Sequence, residues 1–95
     1  MSGAALERRL AEACPGWAVV GTTIERTFTF PSYAECLGFA VAVGVLAERR
    51  DHHPDLHVHW GRVRVVWWTH DAGGVTELDL AVAAETTQLG PRTAA

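Results

Sequence analysis

The chain has 95 residues, 48% of them apolar and 20% charged, with a formal net charge of -3. One domain accounts for that length, since typical domains hold about 100–150 residues, and the composition is that of a folded protein rather than a disordered one. The acidic balance gives no electrostatic footprint for nucleic acid or an anionic membrane, and the longest apolar run, Leu37 to Ala47, falls short of the roughly 20 residues that span a bilayer.

From Ser2 to Cys14, Ala5, Leu6, Leu10 and Ala13 recur near the helical period among Glu7, Arg8, Arg9 and Glu12, which predicts a helix. Pro15-Gly16 stops it. Trp17 to Val20 reads as a short strand, Gly21-Thr22-Thr23 as a turn, and Ile24 to Phe30 as a second strand. Ile24, Phe28 and Phe30 share one face of that strand by alternation. Arg26 falls on the same face, where it either lays its alkyl stem along apolar surface at a sheet edge or serves a site; the residues leave both open. Ser32 and Glu35 have the spacing of a capping box. The helix they open, "AECLGFAVAVGVLAERR", is apolar nearly all round and must be covered on more than one side. In so small a domain, one of those sides is expected to lie on another subunit, which predicts a homo-oligomer.

Pro54 is expected to end this helix. Two strands follow around Gly61. On the first, Leu56, Val58 and Trp60 face one way and His57 and His59 the other. On the second, Val63, Val65 and Trp67 form the core face, with Arg64, Val66, Trp68 and His70 opposite. Asp71 to Gly74 is a turn, and Thr76 with Asp79 opens a last helix running to about Thr87. Residues 90–95 read as a frayed tail. Helix, two strands, helix, two strands, helix, without repeat or linker, predicts one α+β domain over residues 1–95, its helices packed on an antiparallel sheet. Cys14 and Cys36 form no CxxC, and no secretion leader precedes them, so a reducing cytoplasm is the expected setting.

All five histidines lie between Arg49 and His70. His52 and His53 sit at the C-terminal end of the long helix, where the partial negative charge favours imidazolium. Glu48 lies one turn before His52 and is expected to reach its ring. His57 and His59 read as exposed strand positions. His70 closes a strand before a Gly-rich turn, a place where backbone approaches ligands closely. Metal ligation fits poorly: adjacent His52 and His53 diverge by roughly 100 degrees, no HExxH occurs, and neither cysteine is near a histidine. Proton handling fits better, because imidazole serves as acid or base near neutral pH.

Taken together, Glu48, His52-His53-Pro54, Trp60, His70 and Asp79 resemble the pattern of the pterin-4a-carbinolamine dehydratase family. "GW" at Gly16-Trp17, "IERTFTF", Tyr33-Ala34, Phe39, "VLAE" and "THDAGG" extend the resemblance from about Gly16 to Glu85. It implies a four-stranded antiparallel sheet with helices on one face, in dimers or tetramers. It also implies loss of water from 4a-hydroxytetrahydropterin to give quinonoid dihydropterin, with no metal or organic cofactor. Carried onto the matching positions, His52 and His70 are expected as the acid–base pair, and His53 as binding and orienting the pterin. Asp79 would hold a histidine or a pterin nitrogen, beside its plain role as a helix cap. Glu48 is expected to orient a histidine, and Trp60 is the aromatic among the substrate contacts. Glu77 departs from the pattern, standing where a basic residue is common. A non-catalytic scaffold of the same fold, serving in assembly or as a dimerisation cofactor, is the competing class.

Overall fold

Side-chain alternation along the two central strands decides how the domain is built. The computed structural model describes residue 1 and residues 3–91; Ser2 and most of the expected frayed tail, residues 92–95, lie outside the described residues. In chain order the elements are α1 (Gly3–Ala13), β1 (Ala18–Val20), β2 (Thr23–Thr29), α2 (Tyr33–Arg50), β3 (Asp55–His59), β4 (Arg62–Trp67) and α3 (Glu77–Leu89), with one turn of 3₁₀ helix at His70–Ala72. The strands form one antiparallel sheet in the order β1-β2-β4-β3. This is the α+β order read from the sequence.

Ile24 and Phe28 on β2 and Val63, Val65 and Trp67 on β4 are buried with Leu6 and Leu10 of α1, the Cys36, Phe39, Val43 and Leu46 stripe of α2, and Leu80, Val82 and Ala83 of α3. Phe39 packs its ring 4.7 Å from Phe28 and 5.1 Å from Phe30, centroid to centroid. Burial of each such side chain stabilises the fold by about 1.5–3 kcal/mol. Two tryptophans tie the sheet side to α3: Trp17 donates its indole N–H to Thr87 Oγ1 at 2.8 Å, and Trp67 donates to Thr86 Oγ1 at 3.1 Å. Cys14 and Cys36 are free and buried. Burial pushes the Cys14 thiol up, and its Sγ donates to the Leu80 carbonyl.

Arg26, left open by the sequence, belongs to the packing and not to a site. Its guanidinium lies 4.8 Å from the Phe28 ring centroid and donates to the Pro15 carbonyl at 3.4 Å. Gly16 makes room for it: φ there is +94°, and a Cβ would fall 2.8 Å from Arg26 Nη1.

The cap of α2 forms by half. Ser32 Oγ accepts from the Glu35 amide at 3.2 Å, but the Glu35 carboxylate takes the Ser32 hydroxyl at 3.0 Å rather than a backbone amide. At its other end α2 stops at Arg50, before Pro54 acts. Asp51 adopts the left-handed conformation (φ 48°, ψ 44°), its N–H reaching back to the Ala47 and Glu48 carbonyls. His52 also donates its backbone N–H to Ala47 O. This is the bonding logic of a helix end closed by a left-handed residue, and it places His52 and His53 beyond the helix rather than on it.

β4 ends three residues earlier than the sequence suggests. Its ladder stops at Trp67, and after the isolated Thr69–Gly74 bridge His70 begins the 3₁₀ turn instead of closing the strand. The register Asp55↔Val66 sets the start of β3 beside the end of β4. The ends of α2 and β4 and the starts of β3 and α3 therefore meet at one end of the sheet. Replacing Gly16 with alanine forces a side chain into positive φ against Arg26, so G16A is expected to lower unfolding free energy by about 1–3 kcal/mol. Urea unfolding with an unchanged midpoint would contradict the account of this turn.

Candidate active site

Asp79 is fully buried, and among the described residues it is the sole carboxylate or basic side chain in the core. Leaving such a carboxylate unpartnered would cost several kcal/mol. Both its oxygens are met. Oδ2 accepts from the Thr69 hydroxyl at 2.7 Å and the Thr76 backbone N–H at 2.9 Å, with the Thr76 hydroxyl 3.3 Å away. Oδ1 lies 2.6 Å from His52 Nε2. An ionised carboxylate only accepts, so Nε2 donates, and in the neutral ring Nδ1 keeps its lone pair. Packing fixes the ring plane as well: His52 stacks on the buried Trp67 with centroids 5.5 Å apart and planes 10° from parallel. The sequence left Asp79 as a helix cap or as the holder of a histidine or a pterin nitrogen; the side chain caps α3 through Oδ2 and meets His52 through Oδ1.

Glu48 takes the other histidine. The sequence reading paired it with His52, but Glu48 Oε1 lies 2.8 Å from His53 Nε2. The left-handed Asp51 is the reason. It turns the chain off the helix, so the one-turn spacing from Glu48 to His52 no longer holds, and two successive imidazoles find two different carboxylates. The Glu48–His53 pair is open to water, with side chains 78% and 59% exposed, so it contributes at most about 1 kcal/mol. The His52–Asp79 pair, at 11% and 0%, is the rigid one.

His70 heads the exposed 3₁₀ turn. Its ring lies 4.3 Å from that of Trp68 at a 33° tilt. Thr69, just before it, pins the turn through its backbone: its N–H donates to Gly74 O at 2.8 Å, and its carbonyl accepts from Ala72 and Gly74.

One cleft of about 310 Å³ is lined by Asp51, His52, His53, Thr69, His70 and Asp71. That volume lies at the lower end of the range for small-molecule sites, about 300–1,000 Å³. Two grooves elsewhere are larger, about 520 and 550 Å³, but neither is lined by a histidine. The three candidate histidines 52, 53 and 70 thus border one space, although β3 and β4 lie between His53 and His70 in the chain.

Trp60 is not with them. It lies in the β3–β4 turn, at the opposite end of the hairpin from His53, and is 74% exposed. It does not line the cleft within one chain. β3 runs away from the cleft and carries Trp60 with it. His57 and His59 lie along β3 opposite Arg64 and Arg62, likewise outside the cleft lining. Glu77, the departure from the family pattern, pairs at the surface with Arg9 at 2.8 Å, which raises the Arg9 pKa. Among the described residues no three His, Cys, Asp or Glu side chains are grouped to hold a metal ion.

Sequence reasoning missed Thr69 and the platform role of Trp67. The signal for Thr69 was weak: a threonine at a strand end beside His70. Nothing in its own neighbourhood indicates a bond to a carboxylate ten positions on.

Comparison with known proteins places most of the chain in one family. A family model described as Pterin 4 alpha carbinolamine dehydratase matches residues 1–89. A relative from Chlorobium limicola is 48% identical over 82 residues, 82% of this chain and 73% of its own length. One from Xanthomonas oryzae pv. oryzae is 49% identical over 88 residues, 87% of this chain and 75% of its own. Both bear the name pterin-4-alpha-carbinolamine dehydratase as a provisional assignment. The crystal structure of a transcriptional coactivator/pterin dehydratase from Brucella melitensis superposes with a TM-score of 0.86 at 31% identity, covering 96% of this chain and 98% of that one. A pterin dehydratase-like protein identified as a RuBisCO assembly factor in the alpha-carboxysome shares the fold, with a TM-score of 0.70 at 23% identity over 85% and 96% of the two chains.

Asp79→Asn keeps the shape but places a donor where both oxygens now accept. It is expected to lower unfolding free energy by about 1–3 kcal/mol, the cost of a mismatched buried polar group. A denaturation midpoint equal to wild type would show that the carboxylate is not the node of this region.

Proposed function

Because the chain belongs to the pterin 4 alpha carbinolamine dehydratase family, we propose that it removes water from 4a-hydroxytetrahydropterin, in its biopterin form, to give quinonoid dihydropterin. The observation that carries this is the imidazole of His52, fixed through Nε2 by a buried carboxylate. In the reaction the C4a–O bond breaks with its electron pair, and the oxygen leaves as water after taking a proton from an acid. N5 loses its proton to a base, and its electrons form the C4a=N5 double bond. No electrons are exchanged with another reagent. What the protein must supply is one proton donor and one acceptor around a small bicyclic ring, and positioned proton transfer contributes about 100- to 10,000-fold.

His52 and His70 are the proposed acid–base pair. His52 suits the base: with Nε2 engaged, Nδ1 takes a proton, and the imidazolium that results is stabilised by Asp79. His70 suits the acid at the carbinolamine oxygen, since among the described residues no side chain hydrogen-bonds its ring and its proton is not committed elsewhere. His53, steadied by Glu48, binds and orients the pterin. Glu48 therefore acts on His53, and Asp79 on His52. No metal or organic cofactor enters the reaction as proposed.

The protein is further proposed to act as a homo-oligomer, dimer or tetramer, in the cytoplasm, without a nucleic-acid or membrane partner. Leu37, Val41 and Val45 on α2 are 44%, 67% and 54% exposed, an apolar stripe that needs a cover. The two unpaired, buried thiols suit a reducing compartment. No helix among the described residues is long and apolar enough to cross a membrane.

The same α2 stripe favours the second class, a non-catalytic scaffold that grips a partner protein. Stopped-flow measurement of carbinolamine loss separates the two. Wild type should accelerate it, and His52→Ala and His70→Ala should each lose about 100-fold or more of that acceleration. Wild type indistinguishable from buffer would leave the scaffold as the better account. In sedimentation equilibrium at micromolar concentration the chain should run above monomer mass and Val41→Glu should shift it toward monomer; a monomeric wild type would remove the oligomer.

A further inference from the structure

We infer that Thr69 is a positioning residue for the proposed dehydration, a single side chain and backbone that set both members of the histidine pair. The inference rests on the function proposed above and deepens it. Its hydroxyl lies 2.7 Å from Asp79 Oδ2 and 2.9 Å from Thr76 Oγ1. A hydroxyl has one proton to give, and the carboxylate has none, so Thr69 donates to Asp79 and accepts from Thr76. That chain of donors holds one carboxylate oxygen, while His52 Nε2 meets the other at 2.6 Å. Swinging the carboxylate about its bond to Cβ would break both sets together, so the Thr69 hydroxyl restrains the oxygen on which the orientation of His52 depends.

The backbone of the same residue fixes His70. Thr69 exchanges hydrogen bonds with Gly74 in both directions, at 2.8 and 3.3 Å, and accepts from Ala72 at 3.2 Å, which closes the turn that His70 heads. Thr69 itself lines the cleft between the two histidines. One residue thus connects the strand end, the buried acid and the exposed turn. Charge-assisted bonds to a carboxylate are about twice as strong as neutral ones, so the hydroxyl does more here than fill space. Thr69 touches no reacting atom and is not a catalytic residue. Its effect passes through His52.

Two variants separate the hydroxyl from the shape. Thr69→Val keeps the branched side chain and removes the donor; Thr69→Ser keeps the donor and removes a methyl group. With folding checked by circular dichroism, T69V should lose about 100-fold in kcat, the scale associated with a small misplacement of a reacting group, while KM changes little. T69S should stay within about three-fold of wild type, since the donor to the carboxylate is kept. In T69V the NMR titration midpoint of the His52 ring should also move from its wild-type position, which a merely structural residue would not cause. Active wild type with an equally active T69V would overturn the inference, as would equal losses in T69S and T69V. If wild type shows no dehydratase activity, the proposed reaction fails, and the His52 titration alone decides the positioning: coincident midpoints in wild type and T69V overturn it, separated midpoints support it.

Discussion

A carboxylate sealed in the core constrains the whole of one end of this molecule. Asp79 has no water to turn to, so every lone pair it uses must meet a donor supplied by the fold. Those donors come from Thr69 after β4, Thr76 before α3 and His52 after α2. Any displacement of one segment relative to the others opens a bond to a buried charge, which is among the costlier defects a small domain can carry. The acid therefore stabilises a junction, and as a consequence it holds an imidazole in one tautomer with one ring nitrogen bare. Structural necessity and chemical preparation are the same interaction here.

The remaining parts of the site are held less tightly, and in a graded way. His52 is wedged between Trp67 and Asp79. His53 and its carboxylate stand in solvent, where water screens the attraction and the side chains keep rotamer freedom. His70 rides on an exposed turn closed by backbone bonds. In the proposed dehydration that grading gives a fixed base, a solvent-exposed binding residue and an acid on an exposed turn. That gradient follows from burial alone.

Much of this was legible in the chain. The element order and the sense of the sheet followed from alternation in Ile24–Phe30 and Arg62–Trp67, because a strand with one buried face carries that face in every second letter. The grouping of His52, His53 and His70 was suggested by the family pattern, and their shared cleft is where the structure places them. Pairings were less readable. Glu48 was assigned to His52 by helical spacing, which fails once Asp51 takes a left-handed conformation; nothing but the fold dictates that a non-glycine residue should do so. Trp60 came with the family pattern, and the strand that follows His53 carries it to the far end of the hairpin. The capping role of Asp79 was read locally, whereas a histidine partner was implied by the family pattern alone, since the bond to His52 spans 27 positions and has no local signature. Thr69 is the same case seen from the other partner.

The tautomer of His52 is where the account is most exposed. Long-range ¹H–¹⁵N correlation spectra of the free protein, recorded with His52 assigned, report directly which ring nitrogen carries hydrogen in the neutral ring. The geometry requires Nε2 protonated and Nδ1 bare. A neutral ring protonated on Nδ1, or one averaging between the two forms, would mean that the buried acid does not hold this imidazole, and the proposed chemistry would lose its foundation.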